Sequence, residues 1–150
     1  MGHTYASCFF HVIFSTKGRR PVISKGIRES LFPYIAGIAR KNGFLALEIG
    51  GAEDHVHILL SLSAVIPVFK AVQLLKGGSS KWLREKFPQL GDFTWQEGYG
   101  AFSVSISQIP NITKYIRNQM EHHRKITFKD EFIKFLEKHE IVWDDKYIWS

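Results

Sequence analysis

Cys8 is the single cysteine, which excludes an intrachain disulfide and any C-x-x-C metal or redox pair. Its place in the apolar run "SCFFHVIF" suits a reduced, buried thiol. Long hydrophobic runs are missing too: nothing approaches the roughly 20 apolar residues of a membrane span, and the N-terminus lacks the basic and apolar regions of a signal peptide. A cytoplasmic protein with no membrane partner is therefore expected. Several catalytic signatures are absent. There is no G-x-S-x-G elbow, no H-E-x-x-H pair, and "KGGSSK" is not a phosphate loop. Acidic residues run short, 14 against 20 Lys and Arg, and the net charge of +6 favours a polyanionic partner. With 45% hydrophobic and 23% charged residues and no repeats, the 150 residues fit one folded domain, 1–150.

What is present reads as alternating strands and helices. Residues 5–15, "YASCFFHVIFS", form a strand apolar on both faces and hence central. Ser24 caps a helix toward Asn42, with Gly43 as its stop and Pro33 as a kink or true start. "FLALEIG" (44–50) and "HVHILLSL" (55–62) form a hairpin around "GGAED". A second helix opens at Pro67, is interrupted at Gly77 and Gly78, and ends at Pro88. "FTWQEGYGAFSVSISQ" (93–108) ends in alternation, with Phe102, Val104 and Ile106 on one side. A helix follows over 111–125, then Thr127 and Asp130 look like a capping box for another, and the aromatic tail docks on the body. This βαββαβ order with extra C-terminal helices predicts an α+β, ferredoxin-like antiparallel sheet with helices on one face and the other left over.

One stretch asks for chemistry. In "GGAEDHVHILLSL", alternation places His55 and His57 on the face opposite Val56, Ile58 and Leu60, with α-carbons about 7 Å apart. Both rings can then reach one metal ion or phosphate. H-x-H is short, and a pair of surface histidines on a half-wet strand carries about even weight from pattern alone. In "NITKYIRNQMEHHRK" (111–125), Tyr115, Gln119 and His122 share an arc of roughly 60°, beside an apolar stripe of Ile112, Ile116, Met120 and His123. Laid near the free sheet face, that helix would bring a phenol and a carboxamide to the imidazoles. Asp54 could orient His55 or His57 as an acceptor, yet as a strand neighbour it should point to the opposite face, and a turn cap is the expected role.

"DHVHILL", "YIRNQ", "HVIFSTKGRRPVI", "LKGGSSKWL", "WQEGYGAFSVS" and "EHHRKITFKDEF" resemble, in order, the single-tyrosine HUH transposases of the smallest bacterial insertion sequences. The likeness runs from about residue 5 to 149. It implies a ferredoxin-like core, a homodimer with active sites shared between subunits, and cutting and rejoining of single-stranded DNA with hairpin ends, without ATP or an RNA guide. By motif, Tyr115 would be the nucleophile of a 5′-phosphotyrosine intermediate. His55, His57 and Gln119 would hold Mg²⁺ or Mn²⁺. Lys17, Arg19, Arg20, Lys76, Lys81, Arg84 and Lys86 are the candidate DNA contacts, while Trp82 falls on an apolar stripe. The entry to the tyrosine helix, "SQIPN", has no glycine to act as a hinge. Rival readings are a domesticated or replication-type nickase of the same fold, and a non-catalytic ferredoxin-like binder that would show base-stacking aromatics on its free face.

Overall fold

The computed structural model describes residues 2–123 and 125–150. β1 (Cys8–Ser15) is the central strand that its two-sided apolar pattern predicts. It pairs antiparallel with β3 (His55–Leu62) on one side and β4 (Gly100–Val104) on the other, and β2 (Leu45–Gly51) completes the order β2-β3-β1-β4. That is the ferredoxin-like antiparallel sheet, so the α+β expectation holds.

α1 (Lys25–Lys41) and α2 (Val68–Lys86) cover one face. Their Ile27, Leu31, Ile35, Val72, Leu75 and Leu83 pack with Val12, Phe14, Val56, Ile58 and Leu60 of the strands. Pro33 lies inside α1, which runs on through it. Ser24 holds the N-cap place in extended conformation without a side-chain cap bond. Gly77 and Gly78 do not interrupt α2 either. Gly78 is where α1 comes closest: a Cβ there would stand 2.8 Å from Ile38 Cδ1, so the residue permits helix contact where the sequence suggested a break.

Two other expectations fail. The strand forecast over 93–108 is confined to β4, preceded by a lone bridge between Thr16 and Trp95. Ile106 sits in a 3₁₀ turn, Ile106–Gln108, and is 67% exposed, because the chain leaves the sheet after Val104 to start the next helix. The forecast helix over 111–125 is two pieces, α3 (Ile109–Arg117) and α4 (Gln119–His122), with Asn118 between them outside helical geometry. Pro110 falls in the first turn of α3, where its missing N–H costs nothing.

The second sheet face is not left over. α5 (Phe128–Lys138) lies on it, its Phe128, Phe132 and Leu136 packed against Ile13 and Phe102. Thr127 caps α5 by accepting the Asp130 N–H at 3.2 Å. The tail docks as expected: Trp149 packs near Phe128 and Phe132, and Gly98 donates to the Ser150 carbonyl at 3.0 Å. Among the described residues, no helix is long and apolar enough to cross a membrane.

Candidate active site

β3 presents His55 and His57 to the α5 side of the sheet, both completely buried, with ring centroids 5.1 Å apart. Each ring is oriented through its Nδ1. His55 Nδ1 lies 2.7 Å from Asp54 Oδ1. A carboxylate can only accept, so Nδ1 carries a hydrogen. Asp54 is thus the acceptor that fixes the ring, contrary to the turn-cap expectation. It precedes the strand, so the alternation of the pleat does not bind its side chain, while its carbonyl takes the Thr16 N–H at 2.8 Å. Burial pushes the Asp54 carboxyl up, but the hydrogen bond and charge of His55 hold it below the usual range.

His57 is held by a residue that sequence reasoning missed. His11 Nε2 lies 2.8 Å from His57 Nδ1, and His11 itself is buried on β1. Burial, with the neighbouring His57, keeps His11 well below the ordinary histidine value, and burial drives His57 down to about 4 despite a nearby carboxylate. Both rings are neutral at physiological pH.

That carboxylate is Glu131 of α5, 2% exposed. Its Oε1 lies 3.0 Å from His57 Nε2 and 2.9 Å from His123 Nε2. Its Oε2 accepts from the Tyr115 hydroxyl and, at 3.2 Å, from Gln119 Nε2, with His122 Nε2 3.3 Å away. Burial alone would raise the acid, but hydrogen bonds from His123, His57 and Tyr115 hold it far below the ordinary carboxylate range. The same bond works in reverse on Tyr115: burial and Glu131 push the phenol well above its usual value. For His123, burial is outweighed by Glu131 and the value is raised.

Tyr115 and Gln119 reach the histidines because α3 lies directly on β2. A Cβ at Gly50 would overlap the Ile116 carbonyl oxygen, so only glycine lets the helix backbone sit that close. The break at Asn118 turns Gln119 inward, 1% exposed, while Met120 of the forecast apolar stripe is 42% exposed.

The donor set suits a divalent cation. Ligand atoms of His55, His57, His123 and Glu131 lie within 4.8 Å of one another. Gln119 Oε1 stands 3.1 Å from His55 Nε2, so the amide oxygen is turned toward the ring. Turning the amide over would set its oxygen against Glu131 instead. Imidazole nitrogens with carboxylate and amide oxygens fit manganese or magnesium chemistry.

Most of the basic residues singled out from sequence are elsewhere. Lys76 is turned inward onto the carbonyls of Gln96, Glu97 and Gly98 at 2.5, 3.0 and 3.0 Å, and burial lowers it to about 8. Arg84 donates to the Phe93 carbonyl at 3.0 Å, and Arg20 pairs with Asp92 at 3.5 Å. Arg19 lies over Trp149, and Lys86 over Trp82, which stacks on Tyr34 at 4.5 Å. Lys76, Lys81, Arg84 and Lys86 belong to α2, across the sheet from the histidines; Lys17 and Lys81 are exposed. Lys134 and Lys138, not singled out, line a cleft of about 360 Å³ with Tyr115, His122 and Glu131.

Known proteins agree with this architecture. Residues 4–119 match the family model described as "Transposase IS200 like". The ISDra2 transposase TnpA of Deinococcus radiodurans is 30% identical over 115 residues, 73% of this chain and 82% of that protein. The IS200 transposase of Salmonella typhimurium is 28% identical over 130 residues, 83% of this chain and 84% of the relative. A crystal structure of a transposase from D. radiodurans R1 superposes with a TM-score of 0.63 at 28% identity, covering 79% of this chain and 96% of that one. A REP-associated tyrosine transposase bound to a REP hairpin shares the fold, with a TM-score of 0.57 at 13% identity over 77% and 68% of the two chains. A family match that takes in the β3 histidines and ends on Gln119, with relatives alike over most of their length, places this chain in the IS200-like transposase family of DNA-processing enzymes.

Proposed function

We propose that the protein nicks and rejoins single-stranded DNA at hairpin-flanked ends through a covalent 5′-phosphotyrosine on Tyr115. The supporting observation is one buried carboxylate, Glu131, whose Oε1 faces His57 and whose Oε2 accepts from the Tyr115 hydroxyl, so nucleophile and imidazoles share a few ångströms. His55 Nε2, His57 Nε2 and Gln119 Oε1 would hold Mg²⁺ or Mn²⁺. A divalent cation held there would polarise a phosphodiester and offset the charge that develops on it.

The chain's own residues supply the rest. Asp54 and His11 fix the two imidazole rings through their Nδ1 atoms. Glu131 and His122, whose Nε2 lies 3.2 Å from the hydroxyl, aim the Tyr115 oxygen. That oxygen attacks phosphorus as its proton passes to His122 Nε2 or Glu131 Oε2, and the bond to the 3′ oxygen breaks, that oxygen taking up a proton to leave a 3′-hydroxyl end. Because the phosphotyrosine conserves the energy of the ester, another 3′-hydroxyl can reverse the step and join new ends without ATP. Lys134 and Lys138 at the cleft are placed to meet the strand's phosphates.

The protein is proposed to work as a homodimer. Tyr115 and His57 of one chain meet the same Glu131, which supports action in cis, where the resemblance implied sites shared between subunits. Hairpin single-stranded DNA with Mg²⁺ or Mn²⁺ should give a covalent protein–DNA band that Tyr115→Phe lacks. An adduct formed by Tyr115→Phe would rule out this nucleophile, and equal cutting of duplex DNA would rule out the substrate class.

A further inference from the structure

Beside the histidine pair, Glu131 is the anion, carried in the segment "EHHRKITFKDEF". It sits on α5, beyond Gln119, where the family match ends. Burying a carboxylate without a compensating cation is costly, and six side chains would not converge on one that merely filled space. Its Oε1 stands 3.0, 2.9 and 3.8 Å from the Nε2 atoms of His57, His123 and His55. The His57 and His55 nitrogens are the ones left facing inward once His11 and Asp54 have taken their Nδ1 atoms.

We propose that Glu131 Oε1 is itself a ligand of the divalent cation, so that His55, His57, Gln119 and Glu131 make a two-nitrogen, two-oxygen site closed from α5. The inference rests on the metal site described under the proposed function and adds its charged member. It has two chemical consequences. A carboxylate and an amide oxygen move the donor set toward hard cations such as Mn²⁺ and Mg²⁺ and away from Zn²⁺, which two imidazoles alone would favour. Glu131 Oε2 meanwhile keeps its bond from the Tyr115 hydroxyl, so one side chain ties the nucleophile to the cation. His123, whose Nε2 approaches the same Oε1, positions that oxygen.

The test uses the full chain stripped of metal and titrated with Mn²⁺, free ion being read by electron paramagnetic resonance and inner-sphere water by proton relaxation at saturation. Glu131→Gln should weaken Mn²⁺ binding by at least about tenfold. Glu131→Ala should do the same and, in addition, raise water relaxation, because a water fills the vacated position. His57→Ala is the control for the site itself. If His57→Ala weakens binding while both Glu131 variants bind as the wild type, Glu131 is not a ligand and only this inference falls. If the Glu131 variants bind weakly but relaxation is unchanged in Glu131→Ala, the carboxylate acts by packing alone and the inference again falls. If His57→Ala binds Mn²⁺ like the wild type, the metal site of the proposed function falls with it. Glu131→Gln preserves the shape of the side chain, so its affinity counts even where Glu131→Ala fails to fold.

Discussion

The Tyr115 hydroxyl donates to an ionised carboxylate, which makes the phenol harder to ionise than in water. The histidines carry a pH signature of the same kind. His57 is held near 4 against an ordinary value of about 6.5, so the unfolded chain takes up that proton first and its contribution to stability is present above about pH 6.5 and lost toward pH 4. For a fully buried ring the loss is about 3 kcal/mol across that window. His11, also lowered, has the same sign. His123, raised, has the opposite one: its contribution is present below about 6.5 and fades as pH climbs through its folded value. Urea unfolding of chelator-treated protein should show stability falling from pH 6.5 to 4.5, and a flat profile would mean that the pair is not buried as neutral rings. Part of this was legible in the sequence. H-x-H on an alternating strand gave the shared face, and Tyr115 with Gln119 gave the polar seam. His11, in "FFHVIF", was not, because its role depends on β1 lying beside β3 so that Ile13 opposes His57.

At the level of elements, α3 on β2 decides where Tyr115, the proposed nucleophile, sits. Gly50→Ala would force the Ile116 carbonyl away. It should destabilise the fold by about 1–3 kcal/mol and, because a displacement of about 1 Å can cost on the order of 10²-fold in rate, reduce adduct formation more than binding of DNA. Wild-type adduct rates in Gly50→Ala would show that α3 does not need this close approach. α2 makes a second case. Lys76, read from sequence as a DNA contact, is tied to three carbonyls in the segment leading to β4. Lys76→Met should therefore lower stability by about 1–3 kcal/mol, whereas exposed Lys81→Ala should stay within about 0.5 kcal/mol. Thermal unfolding of the two variants separates these roles. Periodicity could place Lys76 on a helix but not say which loop the helix would meet.

For the molecule as a whole, the excess of positive charge predicts binding of DNA strands that weakens with salt. Each lost phosphate contact on a single strand should flatten the plot of log affinity against log salt by about 0.7, and Lys134→Ala and Lys138→Ala should each do so if the strand enters the Tyr115 cleft. Unchanged slopes in both would place the strand elsewhere. Action in cis has its own test. Inactive Tyr115→Phe and His57→Ala proteins, mixed, should stay inactive if each protomer uses its own tyrosine, while recovered adduct formation would show that subunits exchange it.

The sequence alone determined what depends on neighbours along the chain. Alternation set which side of β3 carries His55 and His57, the βαββαβ order set the sheet, and helical spacing put Tyr115 near Gln119. Tertiary structure decided the rest, because contacts between distant segments leave no periodic trace. Only the docking of α5 on the second sheet face brings Glu131 to the histidines, and only the pairing of β1 with β3 sets His11 behind His57. The charge of the site arrives on a helix whose own pattern records an apolar face, since burying Phe128, Phe132 and Leu136 is what carries Glu131 inward with them.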